Sequence, residues 1–125
     1  MCVAVIVQSD KRIPKTYLEA MHEANSDGGG VAWQQDGVVY FRKGLTWQEI
    51  DELQDKLPKP FLMHFRIATK GDKIPELTHP FPIGPQAFSE TLSGFSEMGV
   101  LIHNGTWSDY KKYVPGGLAL PDNRI

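Results

Sequence analysis

One thiol occurs in the whole chain, at Cys2 in the opening run MCVAVIV. Two readings of it compete. A lone cysteine in an apolar segment packs as a small buried hydrophobe. With Met1 removed, the same residue becomes the first of the chain and carries a free α-amine two bonds from its own Cβ. Such an amine titrates near about 7.7–8.0, whereas a lysine sits near about 10.4. At neutral pH it can take the thiol proton and later return it to a leaving amine, with no histidine required.

A nucleophile that attacks a carbonyl also needs donors for the oxyanion it creates, each worth about 3–4 kcal/mol in the transition state. The segment IHNGTW offers two, the side-chain amide of Asn104 and the backbone N–H of Gly105, which no side chain obstructs. The same dipeptide is equally an ordinary turn after a strand. In HFRIATKG, Arg66 closes an otherwise apolar stretch and is followed by Thr69 and Gly71 in a loop. A guanidinium there can fork two N–H groups onto the carboxylate of an amino-acid substrate, or make a surface salt bridge. His79, beside Pro80 in LTHPF, reads as a structural loop residue. The four histidines form no HxH, HxxxH or HExxH pattern, so neither a metal nor another cofactor is expected.

These residues must be positioned by the elements around them. Residues 2–7 are continuously apolar, which predicts a strand covered on both faces. Tyr17, Ala20, Met21 and Ala24 follow i, i+3, i+4, i+7, predicting a helix over Lys15–Asn25. NSDGGG breaks the chain, and residues 30–44 read as a hairpin turning at Asp36-Gly37. Thr46 to Glu49 forms a capping box, so a second helix starts there, with Trp47, Ile50, Leu53 and Leu57 on its apolar side until Pro58. PFLMHFRIA is again a strand. Residues 70–98 show little periodicity, GVLIHNG is the last strand, and VPGGLALPDNRI is loop-like. The order β-α-β-β-α-β within 125 residues predicts a single α+β domain over residues 1–125.

Taken in order, MC, SDGGGVAW, HFRIATKG, THPF and HNG resemble the glutaminase domain of class II glutamine amidotransferases, members of the N-terminal nucleophile hydrolases. The likeness runs from Cys2 to about Trp107 and is greater to the small stand-alone proteins of phages and bacteria than to the large synthases. It implies a four-layer αββα sandwich. It assigns the nucleophile to Cys2, the oxyanion pair to Asn104 and Gly105, and the grip on the glutamine α-carboxylate to Arg66. Thr69 and His79 would line the same pocket, and Asp27 with the glycines after it would form a structural turn. The implied reaction is hydrolysis of the glutamine side-chain amide through a γ-glutamyl thioester, releasing ammonia.

Three features depart from the family pattern. Lys70 stands where the family has histidine, and the interval between His79 and Asn104 is longer than in the large synthases. The family's α-amine-binding aspartate has its nearest counterpart in Asp122, near the end of a chain shorter than the usual domain. The expectation is therefore a shortened relative or part of a longer protein, its uncovered apolar sheet surface favouring a partner or a homo-oligomer.

Composition narrows the partners. Thirteen basic and fifteen acidic residues are well mixed, for a net charge of −2. No basic stripe points to nucleic acid and no apolar run approaches the roughly 20 residues that span a bilayer, so neither nucleic acid nor a membrane is expected as partner. A single cysteine and no signal-peptide pattern lead to an expected cytoplasmic location. The expected ligand is glutamine or another γ-glutamyl compound, with an ammonia-accepting synthase as a candidate partner and the acceptor itself unspecified. Two other functions stay open: a catalytically inactive relative serving as a binding or regulatory protein, and a Cys–His hydrolase pairing Cys2 with His64, His79 or His103.

Overall fold

A computed structural model describes residues 2–68, 72–84, 91–104 and 112. Strand β1 (Val3–Val7) leads to helix α1 (Lys15–Ala24), the hairpin β2 (Gly29–Gln35) and β3 (Val38–Leu45), helix α2 (Trp47–Gln54) and strand β4 (Phe61–Phe65). A short 3-10 turn (Pro75–Leu77) and strands β5 (Phe81–Pro82), β6 (Ser93–Ser96) and β7 (Val100–Leu101) follow. Five strands form one antiparallel sheet in the order β1-β4-β2-β3-β6, and β5 pairs with β7 in a second, two-stranded sheet. The fold is α+β, with antiparallel sheets and two α-helices among the described residues.

The hairpin forms where expected. Asp36 and Gly37 both take positive φ, 53° and 81°, and join the Gln35–Val38 pair. This is the mirror-image turn whose twist matches paired strands. Trp33 on β2 stacks on Tyr40 of β3 at 5.8 Å between ring centroids. At α2, the Thr46 hydroxyl accepts from Glu49 N–H at 3.2 Å, while the Glu49 carboxylate accepts from Thr46 N–H at 3.1 Å. Two donors at the helix start are thus satisfied reciprocally. The helix ends at Gln54, a turn before Pro58.

Strand alternation divides the large sheet into two faces. One buries Val7, Val31, Leu45, Phe61, Met63 and Phe65 against Leu18 of α1 and Ile50 of α2. Helix α2 is tied to the segment leading into α1 by fully buried Gln54, whose side chain accepts from Ile13 N–H at 2.8 Å and donates to Ile13 C=O at 2.9 Å. The seam of α1 is shifted by one position from the expected one. Leu18 is fully buried, and Met21, His22 and Asn25 are half-buried or buried, while Tyr17 is 64 % exposed. Tyr17, Ala20, Met21 and Ala24 instead line an open apolar groove of about 400 Å³ with Val3, Val5 and Ile13.

The other face carries Ala4, Ile6, Leu62 and His64. Double coverage of the first strand is not found among the described residues: Ile6 is 58 % exposed, and β1 alternates between half-buried and exposed positions before Val7. Residues 70–98 also hold more structure than their weak periodicity suggests. Besides the 3-10 turn and β5, they contribute β6, which adds to the large sheet through pairs such as Tyr40–Phe95. The last strand is limited to Val100–Leu101. Among the described residues, no helix is long and apolar enough to cross a membrane.

Candidate active site

Register across the sheet builds the site. Ala4 of β1 faces His64 of β4, His64 faces Gly30 of β2, and Gly30 faces Lys43 of β3. Directly opposed residues share a face, so these four form one row across four strands. The chain bearing His79 crosses this row. A Cβ at Gly30 would overlap the His79 carbonyl oxygen, so only a glycine permits backbone to lie on the sheet there. The segment is fastened by Thr78, whose hydroxyl accepts from Gly44 N–H at 3.1 Å and donates to Pro75 C=O at 2.7 Å. Lys43, almost fully buried, donates to Glu76 C=O at 2.9 Å and lies 4.4 Å from the centroid of the Phe81 ring.

The next row, two residues along, holds Cys2 and Arg66. The Val3–Phe65 pair places them side by side just beyond the β1–β4 ladder. Cys2 is half-buried and a free thiol. Its sulfur accepts from Ile67 N–H at 3.4 Å and donates to Ile67 C=O at 3.6 Å, so its hydrogen bonds go to backbone rather than to an imidazole. Arg66 is 1 % exposed and donates to Asp72 C=O at 2.7 Å. Burial pushes the guanidinium below its ordinary pKa, and attraction to Asp27, Cys2 and Asp72 opposes that shift.

Asp27 does more than make a turn. Its N–H donates to Arg66 C=O at 2.9 Å, Arg66 N–H donates to Gly28 C=O at 2.8 Å, and its carboxylate accepts from Ala68 N–H at 2.7 Å. The β2–β4 ladder is thereby prolonged past its formal end, and the strip carrying Arg66 and Ile67 is held beneath the sulfur.

The approach to Asn104 is fixed from the neighbouring row. His64 Nε2 lies 3.1 Å from the carbonyl oxygen of His103. Asn104 itself is exposed. Two residues of strand advance about 7 Å, so the backbone entering Asn104 is anchored one row away from Cys2 and Arg66. His79 packs between the two histidines, 4.2 Å from the His64 ring centroid and 4.7 Å from that of His103, with Phe81 at 4.8 Å. Desolvation is the main cause that lowers the pKa of His64 to about 4 and of His79 to about 2. The hydrogen bond to the His103 backbone opposes the shift at His64, while electrostatic repulsion from Arg66 at both rings, and from Lys43 at His79, adds to it. Both imidazoles are therefore neutral at physiological pH.

Of the residues singled out by sequence, Cys2 and Arg66 are brought together, Asn104 is tethered to the adjoining row, and His79 is buried beside that tether. Thr69, Gly105 and Asp122 lie outside the described residues, as do Met1 and Lys70. Sequence reasoning missed the Asp27 clamp, buried Lys43 and the His64–His103 bond. The period of two in HFR was the available signal, since it puts His64 and Arg66 on one side of a strand. Among the described residues, no group of three or more His, Cys, Asp or Glu side chains is placed to hold a metal ion. Comparison with protein families, with curated proteins and with solved structures finds no match to this chain.

Proposed function

We propose that the chain is a glutaminase of the class II amidotransferase type, acting on glutamine or a close γ-glutamyl amide. One observation carries the reading: the Cys2 sulfur rests on the backbone of Ile67 beside the buried Arg66, on the same strand pair that anchors the approach to Asn104. In this reading the α-amine, freed by loss of Met1, takes the thiol proton as sulfur attacks the amide carbon. The Asn104 amide and Gly105 N–H receive the oxyanion, and Arg66 with Thr69 and Asp122 holds the amino-acid end. The C–N bond breaks as the amine returns its proton to the departing nitrogen, releasing ammonia. Water then attacks the thioester, giving glutamate and restoring the thiol.

The same reading makes the β5–β7 pair the beginning of the second sheet of an αββα sandwich. It places the enzyme in a reducing compartment such as the cytoplasm, where a free thiol persists. The ammonia goes to a separate acceptor enzyme or into solution. Mass spectrometry for loss of Met1, coupled to ammonia release from L-glutamine by wild type and Cys2→Ala, is the test. Turnover that survives in Cys2→Ala overturns the reading, and a processed wild type with none overturns it and leaves a binding or regulatory role for the fold.

A further inference from the structure

The mechanism above gives His64 no part, yet it is among the most buried side chains and reaches directly to the residue before Asn104. A carbonyl oxygen only accepts, so the 3.1 Å contact requires that Nε2 carry the proton. Burial keeps the ring neutral at physiological pH, leaving a single N–H, and that N–H is spent on His103 C=O. Nδ1 is then the bare nitrogen, buried and without a partner among the described residues. Such a ring has one favourable orientation.

The ring is also walled in. His79 lies against it at 4.2 Å, and both nitrogens of His79 are buried without a partner among the described residues, so His79 acts here as packing and not as a relay. The backbone carrying His79 is in turn seated on Gly30, directly across from His64 in the sheet. A peptide unit is planar and trans. Fixing the His103 carbonyl toward the sheet therefore aims the Asn104 N–H the opposite way and sets the direction in which the chain enters Asn104.

We propose that His64 is a positioning residue: its Nε2–H holds the His103–Asn104 peptide and thereby aims Asn104, the first of the oxyanion donors, at the carbon attacked by Cys2. The proposal rests on the glutaminase reading of the site. A flipped or freely rotating peptide at this point would cost transition-state stabilisation while leaving the thiol and the Arg66 side of the pocket in place.

The experiment compares wild type, His64→Leu and His64→Gln, each with Met1 removal verified by mass. Ammonia release from L-glutamine gives kcat and KM, and iodoacetamide alkylation of Cys2 reports the thiol without needing oxyanion donors. His64→Leu is expected to lower kcat about 100-fold, the scale of losing one such donor. KM and the alkylation rate should stay within about threefold of wild type, since a 1.4 kcal/mol difference, about tenfold, marks a real loss of binding. His64→Gln, which can present an N–H near the position of Nε2, should recover most of the loss. Nitrogen-15 spectra of wild type give a readout independent of turnover and of variant folding, and should show His64 as the Nε2–H tautomer at neutral pH. Wild-type turnover with the other tautomer, or with kcat unchanged in His64→Leu, overturns this inference and leaves the glutaminase reading standing. A processed wild type that releases no ammonia overturns the glutaminase reading, and the catalytic role of His64 falls with it.

Discussion

Two neutral imidazoles packed ring to ring, with Lys43 and Arg66 as their charged neighbours, make stability depend on pH in a defined window. His64 goes from an ordinary 6.5 to about 4 and His79 from 6.5 to about 2 on folding, chiefly through desolvation. Between those values the unfolded chain binds protons that the native cluster refuses. Stability is therefore fully present above about pH 6.5 and declines as the pH falls, down to about 4 for His64 and about 2 for His79. At pH 5.5, one unit below the ordinary value, each histidine removes about 1.4 kcal/mol, so the pair removes about 3 kcal/mol. Against a total of about 5–15 kcal/mol for a domain, that is a large fraction.

Urea unfolding followed by tryptophan fluorescence at pH 7.5 and 5.5 measures it. With a slope of about 1–3 kcal/mol per molar urea, the midpoint should fall by about 1–3 M. Carboxylates stay largely ionised over this interval, so they do not mimic the effect. The double variant His64→Gln, His79→Gln should lose nearly all of the pH dependence, whatever its stability at pH 7.5. A wild-type midpoint equal at the two pH values, or a pH dependence undiminished in the double variant, refutes the burial argument.

Gly30→Ala pushes a methyl group into the His79 carbonyl and should cost at least about 1–3 kcal/mol, the range for overpacking, read as a lower urea midpoint. Gln54→Leu removes the side chain that pairs with both Ile13 backbone groups and should cost about 1–3 kcal/mol, seen in thermal unfolding. Asp27→Ala deletes the acceptor for Ala68 N–H, a charge-assisted bond worth about 1.5–3 kcal/mol; amide hydrogen exchange should show faster opening at Ala68 and Ile67 than at core strand positions.

The hairpin and α2 were legible because their signals are local. Asp36-Gly37 supplies two positive φ angles, and Thr46 with Glu49 closes a capping box, whatever lies around them. The α1 seam was misread by one position because Tyr17 and Ala20 mimic an apolar stripe, whereas burial against Ile50 and Phe65 selects Leu18. Strand β6 was invisible because SGFS has neither alternation nor length, and it is recruited by the open edge of β3. Buried Lys43 was missed for a related reason: its ammonium is accommodated by the Glu76 carbonyl and the Phe81 ring, both distant in sequence. The pairing of Cys2 with Arg66 was anticipated only through motifs. The register that produces it depends on β4 inserting between β1 and β2, and no single segment encodes that.

That insertion is what makes one strand serve two layers. Phe61, Met63 and Phe65 of β4 point into the helix-covered core, while Leu62 and His64, with Arg66 just beyond, point the other way. The apolar series fixes the register, because a slip of one residue would drive His64 into the helices and expose three large side chains. Fixing the register also fixes where β1 ends. Five paired residues from Val3 to Val7 hold the edge strand on β4, so Cys2 is delivered beside Arg66 by the same burial that stabilises the fold. In the glutaminase proposal the sulfur and the amine that serves it both belong to Cys2, and the strand pairing that begins at the next residue ties them to the core. The edge position of β1 in turn leaves its second side free of a neighbouring strand among the described residues.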